Sequence, residues 1–350
     1  MTSAGGKLDR RTMEQVVYRH LGANSRKVIV GPARGFDNAI ISMGGKKVMI
    51  LTADPVSVMP ALGIRTSAWL SVHLIASDYA TSGCAPQFAS FEFNFPPEMA
   101  PRDRDSYLTS VGSTCKELGI SIVAGHTGSY PGAGYTVVGG GVILGFASAG
   151  GYVDPSMARE GDAVLMTKGA AIETAASLAW SFPTYVEKAI GAALTTRAKA
   201  LVRSCSVVKD ALVSATLGLG EAGVTSMHDA TEGGVIGGLD EMAEASGKSV
   251  VVDKGMMLQL EEATAVCSAF GIDPLAALSE GTLLITCNPG RVAELAQKLK
   301  AAGVRARKIG SVERGLGLWM SDRGRAPRRI KPAADPYWDA YSRGVRKGLS

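Results

Sequence analysis

Cysteine is scarce in this sequence. Cys84, Cys115, Cys205, Cys267 and Cys287 are scattered over 350 residues, odd in number and without a Cys-x-x-Cys pair. That argues against a disulfide framework and leaves the thiols as small core residues. Histidine is scarcer still, and His20, His73 and His228 share no ligand spacing, which argues against zinc. No apolar run is long enough to cross a bilayer, and the opening MTSAGGKLDRR has no apolar core of a secretory signal. The expectation is a cytoplasmic chain that makes no membrane contact. Internal repeats and low-complexity tracts are also missing. The net charge of +5 gathers in RGRAPRRIKP and RGVRKG near the carboxy terminus, where no nucleic-acid reader motif accompanies it. A solvated basic tail over residues 321–350 is expected rather than a nucleic-acid arm.

What is present is an ordinary globular composition, 46% hydrophobic and 20% charged, in a chain long enough for two domains. A short amphipathic helix over 9–21 precedes strands KVIVG, AIISMG and KKVMILTAD. A helix over 66–83, capped by Thr66 or Ser67, leads to strand ASFEFNFP and a helix stopped by Gly119. Residues 121–145 read as strand, then a loop of Gly, His, Thr, Ser, Tyr and Pro, then strand. The cluster SAGGYVDPSMAREGD marks a boundary between domains at 1–152 and 153–320. Beyond it come strand AVLMTKG, one long helix over 196–218, and a helix in EGGVIGGLDEMAEASG. Strands SVVVD, TLLITC and RARKIGSV then alternate with two further helices. The expected class is α/β, with two layered domains.

Two glycine motifs are decoys. GLGEAG over 218–223 follows a helix and precedes a strand, the reverse of the dinucleotide-binding order. SGKS over 246–249 has Met242 where a P-loop has its first glycine, and it reads as a helix end.

The chemistry is carried by short polar elements at the edges of apolar segments. These are GFDNA with Asp37 and Asn38, TADP with Asp54, SDYA with Asp78, and MHDATEGG with Asp229 and Thr231. Carboxylates at strand ends and helix ends can converge on Mg²⁺ and a triphosphate, because Mg²⁺ takes oxygen ligands and phosphates complete its shell. Any one alone is equally a turn or helix cap.

Taken in order, these elements resemble the superfamily of aminoimidazole ribonucleotide (AIR) synthetase, thiamine-monophosphate kinase, selenophosphate synthetase and the hydrogenase-maturation carbamoyl dehydratase. GFDNAII is similar to its Asp-Asp-Ala-Ala element, LTADPV to its Thr-Thr-Asp strand, and SDYATSGCAPQF to its Asp-bearing helix end. VAGHTGSYPG resembles its acidic Gly-Gly-Asp/Glu-Thr loop, and MHDATEGGVIGGLDEMAEASG the Met-Arg-Asp-Pro-Thr-Arg-Gly-Gly element. LSEGTLLI and IGSV follow at the expected places. The resemblance spans 35–312 and implies a two-domain AIR-synthase-like fold. Its amino-terminal strands would pair across a homodimer into a barrel, and its carboxy-terminal sheet would pack on helices. It also implies ATP with Mg²⁺ in a cleft and transfer of the γ-phosphoryl group to an oxygen of a small molecule. Carried over by position, Asp37, Asp54, Asp78 and Asp229 hold Mg²⁺, with Asp78 also catalytic. Asn38, Gly125, Thr127 and Thr231 touch metal or phosphate, and Glu280 takes a polar catalytic position.

The sequence departs from each subfamily. It ends in RKGLS, without the terminal cysteine that the dehydratase modifies, and VIVGPAR lacks the cysteine or selenocysteine of selenophosphate synthetase. Asn38 and His126 stand where the resemblance puts acids, which removes negative charge from the metal site. His126 is expected either to bond a phosphate oxygen directly or to turn away and cap a backbone carbonyl. Two functional classes follow: an ATP-dependent phosphotransferase or ligase, and a nucleotide-binding scaffold with decayed catalysis.

Overall fold

In a computed structural model the described residues are 5–322 and 324–350. The first four residues of the opening segment and Arg323 of the basic tail lie outside them.

Strands β1 (Val28–Val30), β2 (Ala39–Gly44), β3 (Lys47–Ser57), β4 (Phe88–Phe95), β5 (Ser121–Ser129) and β6 (Val137–Ser148) form a six-stranded sheet. Its order is β1-β2-β3-β6-β4-β5, antiparallel except for the parallel β4–β5 pair. The sequence writes one face of this sheet by alternation: Val48, Ile50, Thr52 and Val56 of β3 are buried, as are Ala89, Phe91, Phe93 and Phe95 of β4. Helices α2 (Ile64–Ala80) and α3 (Pro101–Glu117) cover that face. Each large side chain so buried contributes roughly 1.5–3 kcal/mol. The opposite face stays open, with Met43, Val123, Val137 and Phe146 between 44% and 58% exposed. No closed barrel forms among the described residues.

The second sheet has seven strands: β7 (Ala163–Thr167), β8 (Val224–Asp229), β9 (Ser249–Asp253), β10 (Leu283–Cys287), β11 (Ala306–Glu313), β12 (Gly317–Ser321) and β13 (Arg328–Ile330). They run in the order β13-β12-β9-β11-β7-β10-β8. Its helices are α4 (Ile172–Ser181), α5 (Pro183–Ile190), α6 (Ala192–Ala200), α7 (Val208–Ala215), α8 (Gly234–Ser246), α9 (Glu261–Phe270), α10 (Val292–Ala301) and α11 (Pro336–Arg346). Every residue of β7, β8 and β10 is buried, as expected of strands covered on both faces, although β8 ends the sheet. The two layers share a core in which α2 meets α7, and Ser77 of α2 accepts the Val207 N–H at 2.9 Å. No described helix is long and apolar enough to cross a membrane.

Five local expectations change. The amino-terminal helix is only α1 (Arg10–Gln15), followed by one 3₁₀ turn. α2 begins at Ile64, because the Ser67 hydroxyl reaches back to the Gly63 carbonyl (2.8 Å) instead of capping a helix that starts after it. The GHTGS stretch is strand, not loop: β5 pairs along β4 from Ser121 opposite Phe88 to Ser129 opposite Phe95. The helix expected over 196–218 is broken between α6 and α7, where Lys168 Nζ takes the Ser206 carbonyl (2.6 Å) and Ser77 takes the next N–H. The carboxy-terminal segment is not a free tail. β13 pairs with β12, and α11 buries Tyr337 and Ala340 in the cluster around Phe182, while Arg328, Arg329 and Arg346 remain exposed.

Candidate functional site

The carboxylates converge where the two sheets meet. Asp37 immediately precedes the turn into β2, Asp78 lies in the last turn of α2, and Asp229 ends β8. Strand and helix ends project side chains past the last backbone hydrogen bonds, so three such ends can share one cleft. Ligand atoms of Asp37, His228 and Asp229 lie within 4.8 Å of one another. Asp229 is fully buried, and neither of its carboxylate oxygens has a hydrogen-bond partner. Burial, reinforced by Asp37, pushes its pKa up to about 7. Burial and then Asp229, Asp37 and Asp54 hold Asp78 well above the usual carboxylate range. Asp54 is pushed up to about 6, chiefly by burial and against the pull of Lys7. The Thr52 hydroxyl donates to Asp78 Oδ2 at 3.3 Å, and Asp54, two residues along β3, shares that side of the sheet.

Asn38 supports this arrangement. Its Nδ2 donates to the Asp78 carbonyl (2.7 Å) and to Thr81 Oγ1 (2.9 Å), tying the β2 turn to the end of α2. Its Oδ1 is buried without a partner. Thr231 is buried two residues after Asp229, with its hydroxyl accepting from Lys7 Nζ at 3.0 Å. Glu280 is buried beside the cluster, with one oxygen unpartnered. Burial and then Asp229 and Glu173 hold its pKa well above the carboxylate range.

Not every expected residue joins. Gly125, His126 and Thr127 lie on exposed β5 at the sheet edge. A Cβ on Gly125 would fall 2.3 Å from the Phe91 carbonyl oxygen, so glycine is needed for the strands to approach. His126 is paired with Glu92, on the face opposite Phe91 and Asp54, and its Nε2 meets the Tyr130 hydroxyl at 2.6 Å. Within one chain it neither reaches the carboxylate cluster nor caps a carbonyl. It lines an open groove of about 700 Å³ with Glu92 and the bare Gly139, Gly140 and Gly141 backbone, and Asp54 also borders this groove.

Sequence reasoning missed several participants. His228, set aside for lack of zinc spacing, bridges Asp37 Oδ2 (2.7 Å) and Glu241 Oε2 (3.0 Å). Burial works against a charged ring there, but the two carboxylates overcome it and hold the pKa well above histidine's usual value. A histidine next to a motif aspartate was the available signal. Glu241 on α8 and Glu173 on α4 gave none, because each reads as one carboxylate on an amphipathic helix. Burial pushes Glu173 up to about 8, with Glu232 and Asp54 adding to it.

An oxygen-rich cluster with buried, unpartnered carboxylate and amide oxygens fits a hard divalent cation such as Mg²⁺. Its sole imidazole is already held between two carboxylates.

Comparison with known proteins places the chain. The family model for the N-terminal domain of AIR synthase related proteins matches residues 35–147, and that for the C-terminal domain matches 159–319. The carbamoyl dehydratase HypE of Cupriavidus necator is 29% identical over 293 residues, covering 80% of this chain and 77% of its own. A solved structure of the hydrogenase maturation protein HypE in complex with ATP superimposes with a TM-score of 0.69 at 20% identity, over 95% of this chain and 97% of that one. The structure of AaThiL complexed with AMPPCP and TMP gives 0.70 at 16% identity, over 93% and 96%. Both halves of the sequence and the two-sheet architecture agree, and the chain belongs to the AIR synthase related protein family.

Proposed function

We propose that this protein is an ATP-dependent enzyme that passes the γ-phosphoryl group to an oxygen of a small-molecule acceptor. The observation that carries the reading is Asp229, fully buried with both carboxylate oxygens unpartnered, beside Asp37 and Asp78. Unpaired buried carboxylate is costly, and a protein retains it where a cation or ligand completes it. Asp37, Asp54, Asp78 and Asp229 would hold Mg²⁺, with Asn38 and Thr231 beside them. When bound, the metal neutralises and orients the phosphates. Glu280 would take the proton that leaves the acceptor oxygen when it is in its ionised form, since burial raises that carboxylate's affinity for a proton. The relatives named as a carbamoyl dehydratase and as a thiamine-monophosphate kinase, and the neighbours solved with ATP and AMPPCP, support the nucleotide. A homodimer formed through the open face of the first sheet belongs to the same proposal, since that face leaves Val123, Val137 and Phe146 in solvent.

Calorimetric titration with AMPPCP tests the site. Wild type should bind only with Mg²⁺, and Asp229→Ala should weaken binding by at least about tenfold, because a carboxylate offsetting metal and phosphate charge is lost. Equal affinity in the two proteins would remove the assignment.

A further inference from the structure

The loop after β8, the loop before β10 and the start of α4 are laced together beside Asp229. The Ser279 N–H donates to the Thr231 carbonyl, the Ala171 N–H donates to the Ser279 hydroxyl (2.7 Å), and the Thr174 hydroxyl donates to the Leu278 carbonyl (2.8 Å). This lacing fixes Glu173 in the first turn of α4 and Glu280 in the loop before β10. Both are only 7% exposed, and each keeps one carboxyl oxygen buried without a hydrogen-bond partner. Two further acids close the same end. The Gly233 and Tyr337 N–H groups each donate to an oxygen of Asp335 at 2.7 Å, and Trp338 Nε1 donates to Glu232 Oε1 at 3.2 Å. The charges that act on Glu173 are Glu232, Asp54 and Asp335, all of them acids. The Lys7 ammonium is bonded to Thr231 Oγ1 instead. A divalent ion does not suit this end. Among the described residues the three ligand atoms close enough for a metal belong to Asp37, His228 and Asp229, so Glu173 and Glu280 lack the further ligands that such an ion takes.

We infer that this end of the cleft is the acceptor subsite and that it takes a small amino alcohol, with the ammonium on Glu173 and the hydroxyl between Glu280 and the γ-phosphate. The inference rests on the ATP reading above and names the class of its acceptor. An ammonium brings three donors and a positive charge, which together complete buried carboxylate oxygens that a neutral hydroxyl satisfies only in part. An acceptor bearing a phosphate or carboxylate would set another anion among acids in a water-poor site, where like charges repel strongly. In the transfer, the hydroxyl oxygen bonds to the γ-phosphorus as the bond from that phosphorus to the β–γ bridging oxygen breaks. ADP leaves with the bridging oxygen, and ionised Glu280 takes the hydroxyl proton. The acceptor's own ammonium favours that ionised form, because it offsets the Glu173 charge that acts on Glu280.

The experiment titrates wild type and Glu173→Gln with ethanolamine, ethylene glycol and glycolate, a matched set that differs in one charged group. Ligand-induced Tm rises are measured in chelator and again with AMPPCP and Mg²⁺, each against that protein's own ligand-free melt. Ethanolamine should bind wild type at least about tenfold more tightly than ethylene glycol, and glycolate should give no rise. In Glu173→Gln, ethanolamine should fall to within about threefold of ethylene glycol. A preference for glycolate, an equal response to all three probes or to none, or an ethanolamine preference that survives Glu173→Gln would overturn the assignment. Should the variant not fold, the ranking on wild type decides alone. If AMPPCP binds under no condition while ethanolamine keeps its Glu173-dependent preference in chelator, the ATP reading falls and the ammonium site stands.

Discussion

Replacing Asp229 by Asn should remove a pH-dependent strain from the metal-free protein. Asp229 is fully buried with both oxygens unpartnered, and burial together with Asp37 lifts its pKa from 3.8 to about 7. An acid that binds its proton more tightly in the native than in the unfolded state stabilises the fold while protonated. That stability is fully present below about pH 4 and is lost as pH rises through about 7. At about 1.4 kcal/mol per pH unit, the whole effect approaches about 4 kcal/mol, of which about 3 kcal/mol falls between pH 5 and pH 8. For a chain of 350 residues, an unfolding entropy of about 2.1 cal/mol/K per residue converts this to a Tm loss of about 4 °C. Thermal melts in chelator should therefore show wild type losing about 4 °C more than Asp229→Asn over that range. Mg²⁺ should raise the Tm of wild type at pH 8 by more than that of the variant, because only wild type has the Asp229 carboxylate to gain from the cation. Parallel Tm profiles for the two proteins in chelator would refute the claim that Asp229 is a buried acid held out of its preferred ionisation state.

Two further outcomes follow from the first sheet. Gly125→Ala places a Cβ 2.3 Å from the Phe91 carbonyl oxygen, on a partner strand held between β5 and β6. It should destabilise by roughly 1–3 kcal/mol, read as a lower urea midpoint, and an unchanged midpoint would show that the strands can part at no cost. Phe146→Glu puts a charge into the open apolar face, where Phe146 is 44% exposed. Light scattering should find a dimer in wild type and monomer in the variant, and a wild-type monomer at micromolar concentration would discard the proposed interface.

The sequence by itself determined which short segments carry the carboxylates. Asp37, Asp78 and Asp229 stand at the ends of apolar runs whose period and turn residues are local properties, so their positions in the fold could be read before the fold was known. Alternation along β3 and β4 likewise set which face of the first sheet is buried. Tertiary structure decided what local pattern cannot encode. His126 belongs to a polar, glycine-rich stretch that reads as loop, and pairing along β4 makes it a strand facing away from Asp54. Residues 196–218 have helical composition throughout, yet Lys168 and Ser77 take the backbone groups of Ser206 and Val207 and the helix stops. The basic tail was read by its charge, but Tyr337 and Ala340 dock it against Phe182. His228, Glu241 and Lys7 join the cluster from β8, α8 and the segment before α1, and Lys7 Nζ bonds Thr231 across 224 positions of sequence. Such partners are chosen by charge and desolvation in three dimensions: a buried carboxylate cluster draws in whatever cation the packed chain brings within reach, and no spacing in the sequence records that distance.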